Sequence, residues 1–160
     1  MSALNTSIRQ ITEHDAGLVV DFYTTLSDNT WFFFHPHPRD REFLEQMIHS
    51  LPQRPDLLLF MASTIQDGQE VMIGTVFFWD WHKKIPWFGI AARDGFQGQG
   101  LGDQMTAFAA EKARQNNKGG ILLTTNQKNF PAQGLYKKHG FVTLGIEPHD
   151  EFVMILNFEA

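Results

Sequence analysis

Gln97-Gly98-Gln99-Gly100-Leu101-Gly102 lies between a strand-like run ending near Ala92 and a helix-patterned segment starting at about Leu101. A strand that passes into a helix through glycines lets successive backbone N–H groups converge, and the helix start adds positive partial charge. With no Cβ at 98, 100 or 102, a diphosphate can approach the main chain closely. The stretch therefore reads as a backbone cradle for the pyrophosphate of a nucleotide-type cofactor. It needs no lysine and contains none. A phosphate-binding P-loop would end in Gly-Lys-Ser/Thr, which this loop lacks. A dinucleotide turn would need a third glycine where Gly102 is followed by Asp103-Gln104-Met105. A glycine-rich turn with no ligand remains the plainest alternative.

Outward from the cradle, apolar spacing predicts the other elements. Ile8 to Ile11 alternates as a short strand. Thr12 and Asp15 form a capping-box-like start to a helix carrying Leu18, Val19, Phe22, Tyr23 and Leu26. Trp31-Phe32-Phe33-Phe34-His35-Pro36-His37-Pro38 ends extended or looped, because proline lacks a donor and restrains the residue before it. A second helix starts near Asp40, with Phe43, Leu44, Met47, Ile48 and Leu51 as its stripe. Strands at 57–65 and 71–81 flank an Asp67-Gly68 turn and form a hairpin. A third strand spans 86–92, and the helix after the cradle runs to Asn116. A strand at 121–125, a helix at 131–139 and strands at 141–144 and 152–158 complete the order β-α-α-β-β-β-α-β-α-β-β.

The bulk composition narrows the class. The chain has 160 residues, is 42% hydrophobic and 19% charged, and shows no repeat or linker. It reads as one globular domain over residues 1–160, with mixed α/β content. Fifteen Phe and four Trp imply a bulky core and an aromatic-lined pocket. A net charge of −5 gives no basic field for nucleic acid. There is no run of 18 apolar residues to cross a membrane, and Met1 to Asn5 lacks a charged, apolar leader pattern. The absence of Cys excludes a disulfide, a thiolate nucleophile and a Cys-based zinc site on this chain. His35 and His37 alone make a poor metal pair, so no metal is expected. A cytoplasmic location is the expectation.

A second stretch adds specificity. Asn129-Phe130-Pro131-Ala132-Gln133-Gly134-Leu135-Tyr136-Lys137-Lys138-His139-Gly140-Phe141 resembles the Asn-x-x-Ala-x-x-Leu-Tyr-x-x-x-Gly-Phe signature of the GNAT acetyltransferase superfamily. Gln97, Gly100 and Gly102 are similar to that family's Gln/Arg-x-x-Gly-x-Gly/Ala motif. The two motifs stand in the family's order, with a helix and a strand between them, and the whole element order is similar to the family fold.

The resemblance implies a GNAT-like central mixed sheet, flanked by helices and splayed between 86–92 and 121–125, with acetyl-CoA in the opening. It implies backbone pairing of Ile90, Ala91 and Ala92 with the pantetheine arm, one N–H there polarising the thioester carbonyl. The amides of Gln97, Gly98, Gln99, Gly100, Leu101 and Gly102 would hold the pyrophosphate. Asn129 would contact the cofactor or cap its own helix. Tyr136 would serve the departing thiolate. The acceptor would be a primary amine of a small molecule or peptide, attacking directly in a ternary complex, and a homodimer through the C-terminal strands is also implied. Gly89 is a candidate either for a bulge that opens the sheet or for close packing under Trp87 and Phe88.

One part of the pattern is missing. Many relatives place a carboxylate on the strand equivalent to 86–92, where Trp87, Phe88, Gly89 and Ile90 offer none. The base is therefore open among Asp80, His82, His35 and His37, or a water path to bulk. The missing carboxylate also keeps a second reading in play, a non-catalytic acyl-CoA-binding or regulatory module on the same fold.

Overall fold

The computed structural model describes residues 5–34 and 37–158. Seven strands form one open, mostly antiparallel sheet in the order β1-β2-β3-β4-β5-β7-β6. They are β1 (Ser7–Gln10), β2 (Leu58–Gln66), β3 (Gln69–Trp79), β4 (Trp87–Ala92), β5 (Gly120–Asn126), β6 (Val142–Ile146) and β7 (Glu151–Asn157). The helices are α1 (Ala16–Thr24), α2 (Asp28–Phe33), α3 (Arg41–His49), α4 (Leu101–Gln115) and α5 (Phe130–Lys138). None of the described helices is long and apolar enough to cross a membrane.

The hairpin of β2 and β3 forms where expected. Asp67 and Gly68 take φ of 50° and 77°, the left-handed pair that matches strand twist in a two-residue turn. Alternation along the strands then divides the core between the two faces of the sheet. Phe60, Ile73, Phe78 and Phe88 pack with Met105 and Ala109 of α4. Leu59, Met61, Met72 and Phe77 pack with Phe22 of α1 and Leu44 and Ile48 of α3. Each fully buried Phe or Leu contributes about 1.5–3 kcal/mol relative to exposure.

The sheet opens in the middle. β4 and β5 are parallel and pair only at Trp87 with Leu122. Leu122 N–H donates to Pro86 O at 3.0 Å and Gly119 N–H to Lys84 O at 2.8 Å, which pins the two chains at that end. Beyond it, residues from Phe88 to Ala92 and from Leu123 to Thr125 line a shared cleft instead of bonding to each other.

Two local features go beyond the expectations. Residues 28–33 form a short helix that the predicted element order does not contain. Ser27 Oγ accepts from Thr30 N–H at its start, and Phe34 turns extended at its end. Gly89 makes no bulge, since the β3–β4 register runs unbroken from Gly74–Ala92 to Trp79–Trp87. Its glycine answers close packing, but against Phe77 on the neighbouring strand rather than Trp87 and Phe88: a Cβ at 89 would lie 2.5 Å from Phe77 Cζ.

Candidate active site

The cleft between the diverging strands encloses about 490 Å³. β4 supplies one wall, and its β5-facing side has no strand partner beyond Trp87. Buried main-chain donors and acceptors call for partners, so this edge can receive an extended, amide-bearing chain. Ile90, Ala91 and Ala92 all line the cleft. The small side chains at 91 and 92 leave the backbone approachable.

The cradle lies at one end. Gly98 and Gly100 take φ of 76° and 83° with open space where a Cβ would point, so backbone conformation alone demands glycine there. Gly102 answers a different need, since a Cβ on it would stand 3.0 Å from Leu135 on α5. Gly100 is the N-cap of α4, and no side chain caps that helix start. Uncapped first-turn N–H groups at a long helix are a fitting seat for a diphosphate. Gln97, Gly98 and Gly102 line the cleft. Gln99 and Gly100 are exposed beside it, and the Leu101 side chain is buried in the core, leaving only its main chain for such a role.

Asn129 does what an N-cap residue does. Its Oδ1 accepts from Ala132 N–H at a long 3.4 Å, and the residue also lines the cleft. One α5 face then carries Ala132, Leu135 and Tyr136 toward the same space. Tyr136 is buried, with its ring edge-on to Phe88 at 6.1 Å and 5.6 Å from Phe141. Burial pushes its phenol well above the ordinary value, so it stays protonated. No hydrogen-bond partner for its hydroxyl is found among the described residues. Phe33, Phe34, Phe77, Trp79 and Phe88 complete an aromatic lining of the kind the composition implied.

Neither Asp80 nor His82 lines the cleft. Asp80 is instead 3.2 Å from Lys83. His37 lies among Tyr23, Trp31 and Phe43, where burial lowers its pKa, and it too is outside the lining. His35 falls outside the described residues. Among the described residues, the carboxylate that does line the cleft is Glu151, at the first position of β7. It sits there because β7 pairs with β5, placing Glu151 opposite Asn126. Glu151 also borders a neighbouring hollow with Trp31, Phe32, Asn126, Glu147 and His149. Trp31 already carries the Arg39 guanidinium 4.9 Å above its ring. No cluster of three or more metal-ligating side chains occurs among the described residues.

Comparisons with known proteins bear on the fold and the family. Over 81 residues the chain is 27% identical to streptothricin acetyltransferase from Streptomyces lavendulae, a stretch covering 51% of this chain and 43% of that protein. The chain thus spans under half the length of that relative. The fold is similar to that of ribosomal-protein-S5-alanine acetyltransferase from Vibrio fischeri. The TM-score is 0.83 and the identity 14%, over 98% of this chain and 95% of the other. It is similar also to PaiA N-acetyltransferase from Thermoplasma acidophilum, solved in complex with coenzyme A. There the TM-score is 0.76 and the identity 14%, over 97% and 100% of the two chains. Residues 21–141 match the model of the acetyltransferase (GNAT) family, and the chain belongs to that family.

Proposed function

We propose that the protein transfers an acetyl group from acetyl-CoA to a primary amine by direct attack within a ternary complex. The observation that carries this reading is the convergence on one cleft of an unpartnered strand edge, an uncapped glycine cradle and a buried phenol. When bound, acetyl-CoA supplies the activated thioester. A backbone N–H of Ile90, Ala91 or Ala92 polarises its carbonyl, a donor aimed before charge develops. The amides from Gln97 to Gly102 hold the diphosphate. As the amine forms the new C–N bond, the C–S bond breaks and its electron pair leaves on sulfur, which ends protonated.

Tyr136 meets that sulfur. A phenol near 10 is a weaker acid than a thiol near 8.5, so full transfer is uphill by about 2 kcal/mol. Burial raises the Tyr136 phenol further. Its task is therefore to donate a hydrogen bond to the departing thiolate, with the proton arriving late. The chain has no Cys, so an acetyl-cysteine relay on it is excluded.

Glu151 is the acceptor-side group. Glu151 holds and orients the ammonium, which loses its proton to water before attack. The nearness of Glu147 to Glu151 in the adjoining hollow favours an acceptor that carries positive charge. A thiol-release assay with polyamines, amino sugars, amino acids and basic peptides tests the reading. Release with none of them, despite saturable acetyl-CoA binding, would favour a non-catalytic binding module.

A further inference from the structure

The loop that carries the cradle is bolted to the short helix on the acceptor side by one carboxylate. Asp94 follows β4 by two residues. It accepts three hydrogen bonds from the start of α2: Ser27 N–H at 2.7 Å, Ser27 Oγ at 2.9 Å and Thr30 Oγ1 at 2.7 Å. Gln97 reinforces the joint, its Nε2 donating to Ala92 O at 3.0 Å and to Thr30 Oγ1 at 3.2 Å. Gln97, whose position in the chain matches a donor-binding motif, thus spends its side chain on the contact between the loop and α2.

Both sides of the joint line the same cleft: Gln97 and Gly98 from the loop, Asn29, Thr30 and Phe33 from α2. The other aromatic residues of α2, Trp31 and Phe32, border the adjoining hollow with Glu151. A six-residue helix has little stability of its own. The position of α2 therefore depends on what holds its ends; at its N-terminal end Asp94 does so from the donor loop, while Arg39 bonds Leu26 O at 2.9 Å and Asp28 Oδ1 at 3.0 Å from outside that loop.

We infer that Asp94 is a positioning residue through which the donor loop sets the acceptor wall. The inference rests on the reading of the cleft as an acetyl-CoA site. Ordering of residues 93–100 by the donor is passed to residues 27–34 through the Asp94 carboxylate, so that the acceptor pocket is completed only once the donor is in place. Such coupling requires a shared element that both sites bias, and the Ser27–Thr30–Asp94–Gln97 group is that element.

Hydrogen exchange on the full chain, with and without coenzyme A, tests this. In the wild type, saturating coenzyme A should slow exchange both in 93–100 and in 27–34, by about three- to tenfold. In Asp94→Ala the loop should still slow while 27–34 does not. Asp94→Asn, which keeps an acceptor for Ser27, should recover part of the effect. Thr30→Val approaches the joint from the other side and should reproduce the uncoupling, which covers the case of an unfolded Asp94→Ala. Kinetically, Asp94→Ala should raise the acceptor KM by more than the acetyl-CoA KM. Equal slowing of 27–34 in wild type and both variants would overturn the inference, as would a wild type in which only 93–100 responds. If coenzyme A changes neither segment, the donor-site reading fails first and takes the inference with it.

Discussion

Phe77 and Gly89 face each other across β3 and β4, and the ring sits where a side chain at 89 would go: a Cβ there would lie 2.5 Å from Cζ and 2.9 Å from Cε2. Phe77 cannot swing aside freely. It lies 5.7 Å from Phe34 and stacks at 5.5 Å on Trp79, which itself stacks on Trp87. Gly89→Ala should therefore cost about 1–3 kcal/mol through overpacking. Thermal denaturation should show a melting temperature lower by roughly 3–10 °C. An unchanged melting temperature would mean the aromatic stack yields more easily than its geometry indicates.

Tyr136→Phe keeps the ring against Phe88 and Phe141 and removes only the hydroxyl. Turnover should fall about 10- to 100-fold while acetyl-CoA affinity stays within a factor of about two, since the hydrogen bond forms only as sulfur departs. Steady-state kinetics beside equilibrium binding will separate the two. The buried phenol also carries a stability consequence. Its folded pKa is raised above the unfolded one, so its contribution is complete below about pH 10 and is lost as pH rises beyond that.

Glu151→Gln removes charge while nearly preserving shape. The acceptor KM should rise about tenfold, with the acetyl-CoA KM unchanged, if Glu151 serves to hold the ammonium as proposed. Product formation measured against both substrates will show the split. A fall in kcat alone would instead make Glu151 a proton acceptor in the chemical step.

How much of this was legible in the sequence varied with range. The Asp67-Gly68 hairpin, the strand–cradle–helix passage and the Asn129 helix rest on local chemistry, and each stands where its residues put it. The helix at 28–33 was not legible, because six residues hold less than two helical turns and the nearby prolines dominated the reading. Gly89 could be read either as a bulge or as a packing site, and only the register with Phe77 decides between them. Glu151 carried no local signal. It enters the cleft because β7 inserts between β5 and β6, an order that separation along the chain does not disclose.

Arg9 makes an acid-sensitive joint away from the cleft. Its guanidinium bonds both oxygens of Asp15 at 2.9 Å and both of Glu70, at 2.8 and 3.1 Å. Asp15 also receives Thr12 N–H, but α1 starts at Ala16 with Asp15 itself as the N-cap, so this bond closes a turn ahead of the helix and is not the capping box expected from Thr12. Arg9 first, then Thr12 for Asp15 and Ser63 for Glu70, holds both carboxyls below their ordinary range. Depressed folded pKa values give stability that is present above about pH 4–5 and is lost as pH falls. Arg9→Met should cost about 1–2 kcal/mol at neutral pH, allowing for partial exposure of the pair. Denaturant titrations should show that difference shrinking below about pH 4.

The most direct test of acetyl transfer at this cleft is thiol release from acetyl-CoA in the presence and absence of cationic amines. The expected result is release that depends on the amine, one thiol for each acetyl amide formed, and falls sharply in Tyr136→Phe while acetyl-CoA still binds. Saturable acetyl-CoA binding with no amine-dependent thiol release, or equal release by Tyr136→Phe and the wild type, would contradict it.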